Sequence, residues 1–192
     1  GYQYRTKTWV VGVEVPTLLD GCAGVNSVPE ELVSHAINEA HKKGLKAGHP
    51  EYPVIELQKW PKPEFVTGVK KGQHIPLIGA VVLRVEFRSI PGAHEQKPKY
   101  AEIKFKVFAR GESDFMGMII GGRTLDCVER GGLGMRTTPH AYVLEALELL
   151  VPREEIDDHV DWNEPCYPVT MHRTCVTKVT VVRSVFDSDD DD

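Results

Sequence analysis

Leu18-Leu19-Asp20-Gly21-Cys22-Ala23-Gly24 is the stretch on which the reading of this chain turns. Upstream of it, Trp9 to Leu19 is rich in β-branched residues and is expected to be strand material, broken by Pro16. That strand runs straight into an Asp, and the Asp into small residues. A carboxylate is thereby set on a tight turn at the edge of an apolar core. Burial raises the pKa of such a group, and a second carboxylate nearby raises one of the pair further. Two carboxylates sharing a proton can activate a water and protonate a leaving group, the proton belonging to the pair.

Downstream, Asn26 to Glu31 predicts the opening of a helix over about 29–43. Ser27 would cap it, Pro29 would suit its first turn, and Glu30 and Glu31 would complement its positive end. Leu32, Ala36, Ile37 and Ala40 keep a helical period as far as Gly44. A loop to Pro53 and a short strand at Val54–Leu57 follow. Phe65-Val66-Thr67 and His74 to Leu77 flank a glycine-containing tip and predict a hairpin. Two further strands are expected, one at Ala80–Phe87 with Val81, Leu83, Val85 and Phe87 on one face. The other is Ala101–Phe108, with the most regular alternation in the chain. Met118-Ile119-Ile120-Gly121-Gly122 is an apolar run ending in two glycines. Val143, Leu144, Leu147 and Leu150 give Pro139–Val151 the stripe of an amphipathic helix. After an acidic linker at 154–161, strands are expected near Pro168–Met171 and Cys175–Val185. Many short strands with glycine turns and few helices point to a small barrel or sandwich.

Four of these segments, in this order, resemble the retropepsins, the aspartic proteases of retroviruses and long-terminal-repeat retrotransposons. Leu18 to Ala23 resembles the family's strand ending in Asp-Thr/Ser-Gly-Ala. Val66 to Gly79 is similar to its flap hairpin and the glycine after it. Tyr100–Phe108 matches its next strand. Met118 to Leu125 resembles its second hydrophobic-hydrophobic-glycine motif and the short helix that follows. The resemblance covers about residues 8–136. It implies a mainly β, retropepsin-like closed acid-protease barrel, with the helix near 29–43 as an insertion. Residues 137–185 would form a C-terminal extension of helix and strands, and 186–192 an acidic tail. It further implies an aspartic endopeptidase acting on peptide or protein substrates as a homodimer, each chain giving one catalytic carboxylate, Asp20. Ala23, Gly24, Ile120 and Gly121 would line the substrate floor. Gly68, Val69 and Gly72 would lie on a flap tip that moves as a lid over an extended peptide bound by strand addition. No cofactor and no metal is implied.

The match departs from the pattern beside the carboxylate. Gly21 stands where the family has Thr or Ser, and Cys22 where it has Gly. The family's hydroxyl braces the two turns across the dimer, and its glycine leaves an open backbone N–H. A second reading therefore stands beside the first: a catalytically inactive retropepsin-like domain serving as a structural or binding subunit of a larger complex. A small-molecule-binding barrel is a third class.

Composition narrows the field. The chain has 192 residues, 41% hydrophobic and 27% charged, enough for a core. A net charge of -5 argues against a general nucleic-acid binder. No stretch reaches the ~20 apolar residues of a membrane span, and Gly1 to Arg5 is not a signal peptide; lacking a starting Met, the chain is expected to be trimmed, processed or cut from something longer. Cys22, Cys127, Cys166 and Cys175 are too scattered for a disulfide framework, which leans towards a reducing intracellular compartment. Cys22 is expected to be a small buried hydrophobe, since no base adjoins it. Asp114 reads as part of a polar turn, and Asp126 as a cap or a partner of Arg123 or Arg130. His159, Cys166, His172 and Cys175 miss the usual zinc spacings. The glycines at 121–122 and 131–134 do not follow the strand-to-helix nucleotide pattern.

Overall fold

A computed structural model describes residues 3–67, 74–154 and 162. The chain opens with β1 (Gln3–Val10) and β2 (Val13–Asp20), followed by β3 (Ser27–Pro29) and α1 (Glu30–Lys42). Two long strands come next, β4 (Val54–Thr67) and β5 (His74–Phe87), then β6 (Lys99–Phe108), β7 (Met118–Gly121) and the one-turn α2 (Gly122–Leu125). The last elements are β8 (Met135–Thr137), β9 (Ala141–Leu144) and β10 (Leu149–Pro152).

The main sheet runs β1-β2-β7-β3-β6-β5-β4, and β1 also pairs with β5 through Trp9 and Glu86. The sheet thus closes into a barrel of β1, β2, β7, β3, β6 and β5, with β4 hanging from β5 as an edge strand. Closure removes free edges from the barrel strands. The inward alternation expected of β5 is present: Val81, Leu83, Val85 and Phe87 are buried with Ile103, Phe105 and Val107 of β6. The hairpin expected around the 68–72 tip is present up to its ends, where Thr67 pairs with His74 and Val66 with Ile75. The tip itself, with Gly68, Val69 and Gly72, lies outside the described residues.

Three expectations are corrected. Pro16 does not break the first strand; it sits buried inside β2 opposite Lys7. The break is at Val11-Gly12, both at positive φ (49° and 79°), the two-residue hairpin turn whose twist suits its flanking strands. Lys43 Nζ donates to the Val11 carbonyl at 2.6 Å and ties this turn to the end of α1. Ser27 does not cap α1; it belongs to β3, and Pro29 takes the cap position without a side-chain hydrogen bond. The helix expected at Pro139–Val151 is instead the hairpin of β9 and β10, with Leu144 opposite Leu149 and Val143 opposite Leu150. Its core residues are Tyr142, Leu144, Leu149 and Val151. A single helical turn at Glu145–Leu147, then Glu148 in the left-handed conformation (φ 51°), reverses the chain. The expected strands at 168–171 and 175–185, and His159, Cys166, His172 and Cys175, lie outside the described residues.

The helix α1 carries the expected buried stripe, with Leu32, Ala36, Ile37 and Ala40 packed against the barrel beside Val33. Leu32 is fully buried. Truncating it to Ala should cost about 2–5 kcal/mol, the range for buried leucines. A urea titration that returned a loss within the ~0.5 kcal/mol typical of surface changes would show the stripe is not core. Trp162 returns to the barrel, buried against His35 of α1, with its indole N–H donating to the Met116 carbonyl. No helix among the described residues is long and apolar enough to cross a membrane.

Candidate active site

The site is assembled where two strand ends meet. β2 and β7 run parallel, Thr17 beside Met118, Leu18 beside Ile119, Leu19 beside Ile120 and Asp20 beside Gly121. The apolar residues preceding Asp20 fix this register by burial: Leu19 and Ile120 are both fully buried. Asp20 is the first residue of β2 after that run to reach solvent, half-buried at the mouth.

The turn after Asp20 folds back on its own carboxylate. Cys22 N–H donates to Asp20 Oδ1 at 3.0 Å, and Ala23 N–H to the Asp20 carbonyl at 3.1 Å. Gly122 N–H donates to the Ala23 carbonyl at 3.0 Å, joining the turn to the start of α2. Two close approaches explain the glycines. A Cβ on Gly121 would lie 2.7 Å from the Ala23 carbonyl oxygen and 3.0 Å from that of Val25. One on Gly122 would lie 2.5 Å from the Gly21 carbonyl oxygen. The backbone of Gly121 is ordinary extended chain (φ -91°, ψ 179°), so glycine is needed there for space and not for conformation.

Asn26 holds the two halves together. Its Oδ1 accepts from Gly121 N–H at 2.7 Å, and its Nδ2 donates to the Lys104 carbonyl at 2.9 Å and to Thr124 Oγ1 at 2.7 Å. One amide thus bridges β6, β7 and α2 by using both its acceptor and its donor. Sequence reasoning missed this role, having read Asn26 only as part of a helix opening. The signal present was an amide at the start of a buried Ser27-Val28-Pro29 strand.

The residues expected at the site are brought together in part. Asp20, Ala23, Gly24 and Gly121 gather at the mouth. Ile120 points its side chain wholly into the core, so β7 offers the mouth Gly121 and not Ile120. Cys22 is exposed and free, against the expectation of burial, and it is its backbone N–H that bonds the carboxylate. Asp114 is exposed in the loop before β7. Asp126 accepts from Cys127 N–H at 2.7 Å and from Arg130 at 3.3 Å, as expected of a cap and ion pair. The Cys127 N–H and the Arg130 guanidinium hold its carboxyl below the ordinary carboxylate range. Among the described residues, no group of His, Cys, Asp and Glu is placed to hold a metal ion.

A further acidic pair opens α1. Glu30 and Glu31 are expected to complement the helix dipole, yet both are buried, at 1% and 3% exposure. Arg110 Nε lies 3.0 Å from Glu30 Oε2, and Ser34 Oγ donates to Oε1 at 3.3 Å. Burial raises the Glu30 pKa, Arg110 and Ser34 oppose the rise, and neighbouring Glu31 adds to it. A carboxyl raised in the folded state binds its proton more tightly there than in the unfolded chain. Its stabilisation is therefore present below the ordinary glutamate range and lost as pH climbs through the raised value. Glu30→Gln cannot ionise, so its urea midpoint should fall less than the parent's between acid and neutral pH. An unchanged pH profile would show that Glu30 does not carry this dependence.

With β2 and β7 laid side by side in a closed barrel and the Asp20 turn locked to Gly121, the architecture matches the one implied by the four segments. The fold is a retropepsin-like barrel. Solved structures similar to it include the retroviral protease-like domain of Ddi1 from Leishmania major, at 12% identity and a TM-score of 0.44, covering 81% of this chain and 99% of that one. The EIAV protease complexed with the inhibitor HBY-793 is 14% identical with a TM-score of 0.36, covering 68% and 90%. A retropepsin-like aspartic protease from Rickettsia conorii is 13% identical with a TM-score of 0.34, covering 78% and 88%. No family model matches the sequence, and no curated protein does.

Proposed function

We propose that the chain is an aspartic endopeptidase of retropepsin type, acting as a homodimer in which each copy contributes Asp20. The observation that carries this reading is the placement of Asp20 at the end of β2, beside Gly121 and half-open to solvent, in a retropepsin-like barrel. One carboxylate per chain cannot share a proton with itself, so the chemistry needs a second copy. Paired, the two carboxyls would hold one proton between them. One would take a proton from water as it attacks the peptide carbonyl, and the other would donate to the leaving nitrogen. Ala23, Gly24 and Gly121 would line the floor, and the segment around Gly68, Val69 and Gly72 would close over an extended peptide.

Specific activity should therefore rise with protein concentration, and cleavage should be favoured in acid, where a carboxyl pair retains its shared proton. Activity that is strictly proportional to enzyme from the lowest concentration upward would remove the half-site mechanism. The second reading, an inactive domain serving as a structural or binding subunit, draws on one observation: Gly21 supplies no hydroxyl beside Asp20, and Cys22 exposes a side chain where the family has none. Under that reading no cleavage occurs at any concentration or pH, and Gly21→Thr with Cys22→Gly creates activity that was absent.

A further inference from the structure

A cleft of about 310 Å³ lies beside the Asp20 turn, between Gly24–Asn26, the Lys104–Lys106 stretch of β6 and the Gly121–Thr124 segment. That is the lower end of the size range of ligand sites. Its charge is one-sided: Lys104, Lys106 and Arg123 line it, and no carboxylate does. In a chain of net charge -5 this runs against the average. Two other clefts, both reaching Arg84 and Tyr100, are lined by carboxylates as well, Glu51 and Glu86 in one and Glu102 in the other. Within the cleft beside Gly121 the cations are not equivalent. Lys106 is engaged, 3.1 Å from Glu64 and over the ring of Trp60. Lys104 and Arg123 are exposed and have no charged partner among the described residues. Their backbones are fixed, because Asn26 ties the Lys104 carbonyl to Thr124 and to Gly121. Two unneutralised cations are thus held on a rigid frame in a cleft that reaches Gly121, the register partner of Asp20.

We propose that this cleft selects peptides bearing an acidic side chain, with Lys104 and Arg123 as the specificity-determining pair. The proposal rests on the reading of the Asp20 mouth as a peptide site and adds its substrate class. A guanidinium takes a carboxylate through two parallel N–H···O bonds, and an ammonium adds a point charge. Both cations are solvent-exposed, so the preference depends on ionic strength. The nearby side chain of Val25, 38% exposed, offers an apolar contact to the neighbouring peptide residue.

The test uses the full chain carrying Asp20→Asn, so that peptide is bound and not consumed. The probes are fluorescein-labelled octapeptides of Ala, Val and Leu in which a single Glu, Gln or Lys is stepped through every position. In one register the Glu peptide should bind roughly tenfold tighter than its Gln counterpart at low salt, the scale of one charge-assisted hydrogen bond. The gap should shrink at high salt. Lys104→Glu with Arg123→Glu should abolish the gap and favour the Lys peptide. Equal binding of Glu and Gln peptides in every register, or a Glu preference that survives the double reversal, overturns the proposal. The sequence itself holds an acidic segment, Asp187 and Asp189 to Asp192. A preference that emerges only once those residues are changed to Asn would make the chain's own segment the occupant and would also overturn it. Cleavage by the parent chain with no acidic preference defeats this proposal and leaves the endopeptidase reading standing. Acidic selectivity in binding with no cleavage at any concentration does the reverse.

Discussion

Asp20→Asn should lower peptide cleavage by between ~10² and ~10⁴, the span that a positioned acid–base group contributes. The substitution isolates the proton. Asn is nearly the same shape, and its carbonyl oxygen can still accept the Cys22 N–H that Asp20 Oδ1 accepts at 3.0 Å. The turn should therefore persist, and with Asp20 half-exposed there is no buried charge to lose. What disappears is the capacity to hold a proton and pass it. In a homodimer both halves of the pair are lost together, so mixing parent and variant chains should give activity that falls with the square of the parent fraction. A calorimetric melting temperature close to the parent's would confirm that the fold is intact. If the variant cleaves as fast as the parent, Asp20 is not the catalytic carboxylate.

Gly121→Ala acts on the same mouth by a different route and should damage both stability and activity. The added methyl would stand 2.7 Å from the Ala23 carbonyl oxygen and 3.0 Å from that of Val25. Both obstacles are backbone, so neither can swing aside as a side chain would. The turn carrying Asp20 must move away from β7, or β7 must leave β2. Either movement stretches the bond from Gly121 N–H to Asn26 Oδ1. Overpacking of this kind costs about 1–3 kcal/mol, occasionally more, and a displacement of the order of 1 Å at a reacting group costs roughly a hundredfold in rate. Urea unfolding and cleavage measured on the same preparation check the two effects together. Gly21→Ala is the natural control, since nothing stands within 4 Å of a Cβ there. Equal behaviour of the two variants would show that the close approach at Gly121 is not what holds the site.

Much of this arrangement is legible in the residues themselves, and each failure has its own physical cause. Strands β5 and β6 could be read because each has one face in the core and one outside, so burial writes an alternation into the sequence. The Asp20 and Gly121 segments could be read because a polar or glycine residue ends an apolar run at the barrel mouth. The β9–β10 hairpin could not. Val143, Leu144, Leu147 and Leu150 fall at helical spacing, but the residues actually in the core are Tyr142, Leu144, Leu149 and Val151. Two short strands joined by one helical turn reproduce a helical period by coincidence, and only pairing across the turn distinguishes them. Pro16 misled in the opposite direction: a ring that ends most strands is buried within this one, while the turn was written in Val11-Gly12. Asn26 was invisible for a further reason. Its partners, Gly121, Lys104 and Thr124, are remote in sequence, and a network of that kind leaves no local period.

The parallel pairing of β2 with β7 also fixes when the site can exist. Asp20 belongs to the first hairpin, whereas Gly121, against which it is set, is among the last residues of the barrel to be made. Between them in sequence come α1, the long β4–β5 hairpin and β6, and β7 then takes its place between β2 and β3. Pairing between such distant segments is slow because a large loop must be closed first. A nascent chain emerging from the ribosome therefore carries its carboxylate early but no cleft. Under the endopeptidase reading, hydrolysis would therefore have to wait until β7 has been made and has paired with β2.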